Sequence, residues 1–184
     1  MKCIETKISG VYRIEPSVFE DGRGYFLEAF NLEKFEAQVA SVKFVQDNES
    51  KSLKGVVRGL HFQKPPFHQA KLVRCISGKV LDVAVDLRKG SPTYGKHIAL
   101  ELSGENKKQL FIPRGFAHGF AVLSESAVFA YKVDNSYAPK YDAGIRFDDE
   151  ALQIDWGVSP AEVQVSEKDT YLPSFKDLDS PFNF

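Results

Sequence analysis

Apolar and polar residues alternate in short bursts along this chain, and glycine or proline interrupts them at short intervals. The bursts predict strands over 11–15, 25–30, 42–47, 56–62, 71–76, 79–87, 96–102, 109–113, 117–123 and 127–134. Residues 80–86 show the alternation well: Leu81, Val83 and Val85 fall on one side, Asp82, Ala84 and Asp86 on the other. A helical period is persuasive once, over 31–40, where Leu32, Phe35 and Val39 share a face and Asn31 stands at the N-cap. Beyond residue 135, Pro139, Pro160, Pro173 and Pro181 block long elements. Many short strands with turn signals between them predict an all-β sandwich or barrel; a parallel fold with crossover helices needs several more helices. With no low-complexity linker and no internal repeat, residues 1–184 are expected to form a single domain. A chain of that size buries roughly 70% of its unfolded surface.

Composition narrows the partners. Hydrophobic residues make up 43% and charged residues 27%, ordinary for a water-soluble domain. The 24 basic and 25 acidic residues leave a net charge of −1, so no broad field attracts nucleic acid or anionic lipid, and neither is expected as a partner. The opening Met-Lys-Cys-Ile-Glu-Thr-Lys lacks an apolar signal core, and no later run reaches membrane-spanning length. Cys3 and Cys75 form no metal-type pair and could make one disulfide; reduced thiols in a cytoplasmic protein are the expectation.

The chemistry concentrates in residues 56–74, where Arg58, His61, Lys71 and Arg74 lie on or beside two apolar runs. Strands inside a folded domain rarely carry that much cationic or titratable function. An imidazole and an ammonium on neighbouring strands can supply a base and an enolate-stabilising cation, and arginines suit phosphate. If 56–63 is a strand, His61 and Gln63 share a face with Val57 and Gly59, and Arg58 points the other way unless a bulge intervenes. A lone buried histidine is commonly structural, but Lys71, flanked by Ala70 and Leu72, is hard to explain as a solvated surface charge. Tyr131, in a strand of apolar residues, reads by itself as a core aromatic with its hydroxyl bonded. The run from Ser166 to Asp169 reads as a helix cap or a solvated charge run, and spacing alone does not link Asp169 to His61. The spacing Pro113-x-Gly115-x-x-His118 is that of the second metal-binding motif of cupin barrels. The first motif, however, would offer Gln63 as a ligand, a poor choice for a transition metal, and His68 in its proline-rich loop is a weak substitute.

Taken in order, the motifs resemble the dTDP-4-dehydrorhamnose 3,5-epimerase family, metal-free cupin-like enzymes of activated deoxysugar synthesis. The matching blocks begin with Phe19-Glu-Asp-Gly-Arg-Gly-Tyr-Phe-Leu-Glu28, Phe44-Val-Gln-Asp-Asn-Glu-Ser-Lys-Ser52, Arg58-Gly-Leu-His-Phe-Gln63 and Lys71-Leu-Val-Arg74. They continue through Asp82-Val-Ala-Val-Asp86, Ser91-Pro-Thr-Tyr-Gly95, the stretch 112–120, Ala130-Tyr-Lys132, Ile154-Asp-Trp156 and Ser166-Glu-Lys-Asp169.

The resemblance implies a cupin-like jelly roll with a few short helices, and epimerisation at C3 and C5 of a dTDP-4-dehydro-6-deoxyhexose. It implies His61 as general base, Asp169 as the carboxylate that orients it, Lys71 as the enolate-stabilising cation and Tyr131 as the acid on the other face. Arg23, Glu28, Gln46, Asp47, Asn48, Arg58, His118 and Lys168 match contacts to the sugar nucleotide, and Phe19 and Tyr137 are candidates to stack on thymine. Asp142 stands where the family usually has Glu, and the proline-rich loop 64–69 departs from the commoner polar form. No metal and no redox cofactor are implied, and a homodimer is, through N-terminal segments that cross to the partner subunit. The nearest alternative is the same chemistry at one carbon only; a metal-dependent cupin enzyme and a non-catalytic sugar-nucleotide-binding module are the other classes.

Overall fold

A computed structural model describes residues 1–184. In chain order the strands are β1 (Lys2–Glu5), β2 (Tyr12–Glu15), β3 (Val18–Asp21), β4 (Gly24–Leu27), β5 (Gln46–Leu53), β6 (Val57–Gln63), β7 (Lys71–Ser77) and β8 (Lys79–Asp86). They continue as β9 (Arg88–Lys89), β10 (His97–Ser103), β11 (Gln109–Ile112), β12 (Phe116–Val122), β13 (Ser126–Val133), β14 (Asp142–Gly144) and β15 (Phe182–Asn183). Two short helices, α1 (Leu32–Gln38) and α2 (Glu167–Thr170), complete the set with two turns of 3-10 helix.

The expected all-β architecture is present, as two antiparallel sheets. One is six-stranded in the order β1-β2-β11-β7-β13-β5, the other five-stranded in the order β10-β8-β12-β6-β14. Their inner faces meet in a core: Val73, Leu110, Ile112 and Phe129 of the first sheet pack against Val80, Ala84, Phe120 and Val122 of the second. The outer face of the five-stranded sheet is also buried. Leu60, Val83, Val85 and Ala117 lie under Ile145, Leu152, Trp156 and Phe182 of the C-terminal segment. That segment, although poor in regular elements, is a lid of core residues, and Trp156 donates its Nε1–H to the Phe147 carbonyl at 2.8 Å. Strands covered on both faces explain why the chain's apolar run over 116–122 is almost continuous.

Helix α1 is capped as expected, Asn31 Oδ1 accepting from the Lys34 amide at 3.1 Å. It covers only part of the outer face of the six-stranded sheet, pressing Phe35 onto Phe111 and Leu72, while Leu32 remains exposed. The expected strand at 42–47 instead runs from Gln46 to Leu53. Its inward residues, Gln46, Asn48, Ser50 and Ser52, are polar, so no apolar alternation announces it.

The one break in regularity that positions the site is in β6. His118 of β12 stands opposite His61, but Phe120 stands opposite Arg58, so β6 carries one extra residue. Val57, Leu60 and Phe62 therefore point outward into the second core, while Arg58 and His61 both point inward. Gly59 makes this possible, with φ +131 and a place for Cβ only 2.5 Å from the Gly119 Cα. Gly59→Ala is expected to cost about 1–3 kcal/mol through backbone strain alone. Urea unfolding measures that loss, and a wild-type midpoint would show that the bulge tolerates a side chain.

Candidate active site

Between the two sheets lies a cavity of about 540 Å³, lined among others by Arg58, His61, Lys71, His118, Tyr131, Lys168 and Asp169. Residues spread over 112 positions of sequence are thus gathered in one place. Arg58 and His61 rise from β6 and His118 from β12, all in the five-stranded sheet; Lys71 on β7 and Tyr131 on β13 descend from the six-stranded sheet opposite.

His61 Nε2 lies 2.7 Å from Asp169 Oδ1, a pairing that spacing could not show. Asp169 sits in α2, whose N-cap is Ser166, so the helix-cap reading of that run holds; Glu167 and Lys168 are exposed, and Asp169 alone is buried. The carboxylate is 3% exposed and the imidazole 31%, so the acid is hidden behind a ring that faces the cavity. Burial opposes ionisation of Asp169, but hydrogen bonds from His61, Ser166 and the Gly59 backbone outweigh it and hold the carboxyl below its ordinary value. An ionised acid on the far nitrogen fixes the tautomer and stabilises the imidazolium that forms on proton uptake.

The Lys71 ammonium forms no ion pair or side-chain hydrogen bond within the chain, and burial pushes it down to about 8 against the attraction of Asp82 and Asp142. Burial also raises the Tyr131 phenol, opposed by Arg58, so it remains protonated at neutral pH and can donate. His118 is buried and held by Asp82, Nε2 to Oδ2 at 2.9 Å, and burial lowers its pKa. Arg58 gives Nε to Ser52 Oγ at 3.0 Å, which leaves its terminal nitrogens for an anion.

At the rim, Lys168 pairs with Asp142, and the Tyr137 hydroxyl reaches Asp142 at 3.4 Å. Gln46 accepts from the Tyr137 amide and donates to Asn48, which faces the same side as its ladder partner Tyr131. Gln63, at the cupin metal-ligand position, is spent on backbone: it donates to Phe67 O and Ser136 O and accepts from Ala138 N at 2.6 Å. It clamps loop 64–69 to the turn carrying Tyr137. Sequence reasoning missed this, and also missed Asp82, whose place in a strand pattern carried no chemical signal.

Four expected contact residues are not brought to the His61 cavity. Asp47 follows strand alternation to the outer face and pairs with Lys132, lining with Glu28 a separate open depression of about 580 Å³. Phe19 and Arg23 lie on the projecting β3–β4 hairpin, where Phe19 is 65% exposed and Arg23 pairs with Asp21.

The model of the family described as dTDP-4-dehydrorhamnose 3,5-epimerase matches residues 5–177. The chain belongs to the dTDP-4-dehydrorhamnose 3,5-epimerase family. A relative of that name from Shigella flexneri is 52% identical over 180 residues, covering 97% of this chain and 98% of its own. The crystal structure of a dTDP-4-dehydrorhamnose 3,5-epimerase from Elizabethkingia anophelis is 54% identical, with TM-score 0.91 over 96% of this chain and 97% of that one. A dTDP-6-deoxy-D-glucose-3,5-epimerase from Legionella pneumophila, solved in complex with dTDP-4-keto-L-rhamnose, is 44% identical with TM-score 0.95 over 100% of this chain and 98% of that one. The cupin-like sandwich is therefore the family's fold.

The buried ammonium gives a testable stability signature. Lys71 is depressed from 10.5 to about 8, so its charge costs stability fully below about 8, and the cost fades as pH rises toward 10.5. Lys71→Met is expected to raise unfolding free energy by up to about 3 kcal/mol at neutral pH. Denaturation at pH 7 and near pH 10 checks it: the gain should shrink at the higher pH, and a gain independent of pH would contradict the assignment.

Proposed function

We propose that the protein epimerises dTDP-4-dehydro-6-deoxy-D-glucose at C3 and C5 to dTDP-4-dehydro-L-rhamnose, with His61, Lys71, Tyr131 and Asp169 as its catalytic set. The observation that carries the reading is the placement of two proton-handling groups on opposing sheets, with a cation in the same cavity. C3 and C5 flank the C4 ketone, so each bears an acidified hydrogen. His61 takes that proton, and Asp169 on its far nitrogen favours the resulting imidazolium. Charge moves to the C4 oxygen, where Lys71, an unpaired cation lining the cavity, stabilises it. A base that returned its own proton would restore the starting centre. Inversion needs a donor on the other face of the ring, and Tyr131 supplies it from the opposite wall.

The rest of the substrate is held by the polar rim. Arg58 and Lys168 suit the diphosphate; His118 suits the sugar; Gln46, Asn48, Asp142 and Tyr137 stand at the mouth. Phe19, Arg23, Glu28 and Asp47 serve this function only if the N-terminal hairpin reaches a second copy, so the reading includes a homodimer. Support comes from the exposed aromatics Phe19, Tyr25 and Phe26 on the hairpin and from the uncovered face around Arg74, Ile76 and Ala130. We take residues 1–184 as one domain, because strands and C-terminal segment share a core. We assign it to the cytoplasm, on the grounds that both cysteines are free and no helix is long and apolar enough to cross a membrane.

The test is incubation with dTDP-4-dehydro-6-deoxyglucose in D2O, followed by NMR of the ring protons. Deuterium is expected at both C3 and C5, with His61→Asn slowing exchange by about 10²- to 10⁴-fold. Exchange at one carbon alone would move the chain to the single-epimerase branch. Bound ligand with no exchange would leave a binding module.

A further inference from the structure

Asp82, on the inward face of β8, is wholly buried, and nothing in the proposed chemistry uses it. Its Oδ2 lies 2.9 Å from His118 Nε2, while its Oδ1 is buried without any hydrogen-bond partner. A carboxylate oxygen left unpaired away from water is costly, and native proteins rarely keep one without cause. Lys71, the cation of the same cavity, is likewise without a partner. We infer that Asp82 is a positioning residue for the epimerisation: one oxygen fixes His118, and the other supplies the buried negative charge that keeps the Lys71 ammonium charged beside the ketone oxygen.

This rests on the proposed role of Lys71. Two anions attract the ammonium, Asp82 from β8 and Asp142 from β14, and Asp82 is the larger influence. Asp142 is already engaged by Lys168 of α2. Asp169, also in α2, is committed to His61, and Glu49 stands at the rim on exposed β5. The remaining groups facing Lys71 are Arg58 and His61 from β6, His118 from β12 and Tyr131 from β13, none of which adds negative charge at neutral pH while Tyr131 is protonated. His118 itself is discouraged from charging, chiefly by burial and further by Lys71, so it does not consume the carboxylate's charge. Asp82 is thus the leading negative charge on Lys71 that no other cation engages.

The test compares kcat/KM against pH for the wild type, Asp82→Asn and Asp82→Glu, with Asp82→Ala made in parallel so that a folded uncharged variant is available. Loss of the ammonium sets the alkaline limb. Removing the carboxylate should move that limb about one pH unit lower, the size of a single neighbouring charge. Asp82→Glu should hold it near the wild-type position. Uncharged variants that lose activity equally at every pH would reduce Asp82 to a packing role and overturn the inference. Lys71→Gln separates the two levels: if it is inactive while the limb of Asp82→Asn is unmoved, only the role of Asp82 fails. Full activity in Lys71→Gln would instead remove the proposed role of Lys71 itself.

Discussion

The hydrogen bond between His61 and Asp169 ties together parts of the chain 108 residues apart. It joins the bulged strand to a helix of one turn, and so couples the sandwich to the C-terminal lid packed over its outer face. Neither partner would stand where it does without the other's scaffold. The bulge at Gly59 turns the imidazole inward, and the Ser166 cap starts the turn that presents the acid. The proposed proton transfer needs its base fixed to well under an ångström, and a network anchored in strands and a capped helix would provide that rigidity.

The cavity sets a second constraint, an electrostatic one. A ketone oxygen that must accept charge is best served by a cation with little water and few competing partners. The same conditions make a lysine costly to bury, and the depression of Lys71 to about 8 is the measure of that cost. Stability is given up at the cavity and recovered in the apolar cores between the sheets and under the C-terminal segment, where Phe129, Phe120 and Trp156 are buried. In the proposed reaction one pair of groups serves both carbons, because both flank one carbonyl; solvent exchange must reset the imidazolium and the phenolate between the two inversions.

Much of this was legible from sequence, for identifiable reasons. Strands with an apolar face, such as 79–87 and 109–113, follow their patterns closely because hydrophobic burial decides them. Strand β5 does not, since its inner face lines a polar cavity and its outer face meets solvent. His61 and Lys71 stood out as polar groups within apolar strands, whereas Tyr131 read as a core aromatic until the family resemblance gave it a role. Asp169 was visible only through family resemblance, because its contact with His61 is wholly tertiary. The inward turn of both Arg58 and His61 required a bulge that alternation alone cannot foresee. Asp82 looked like the polar half of an amphipathic strand, yet both faces of β8 are covered.

In the proposed reaction, protons leave and return on opposite faces of the sugar ring, through two groups on opposing sheets. The most direct measurement follows Tyr131→Phe with dTDP-4-dehydro-6-deoxyglucose in D2O, reading isotope incorporation and ring stereochemistry by NMR in one sample. The account predicts that deuterium still enters while inversion is lost, because His61 can remove and return a proton on its own side. Inversion at the wild-type rate without the phenol would contradict it.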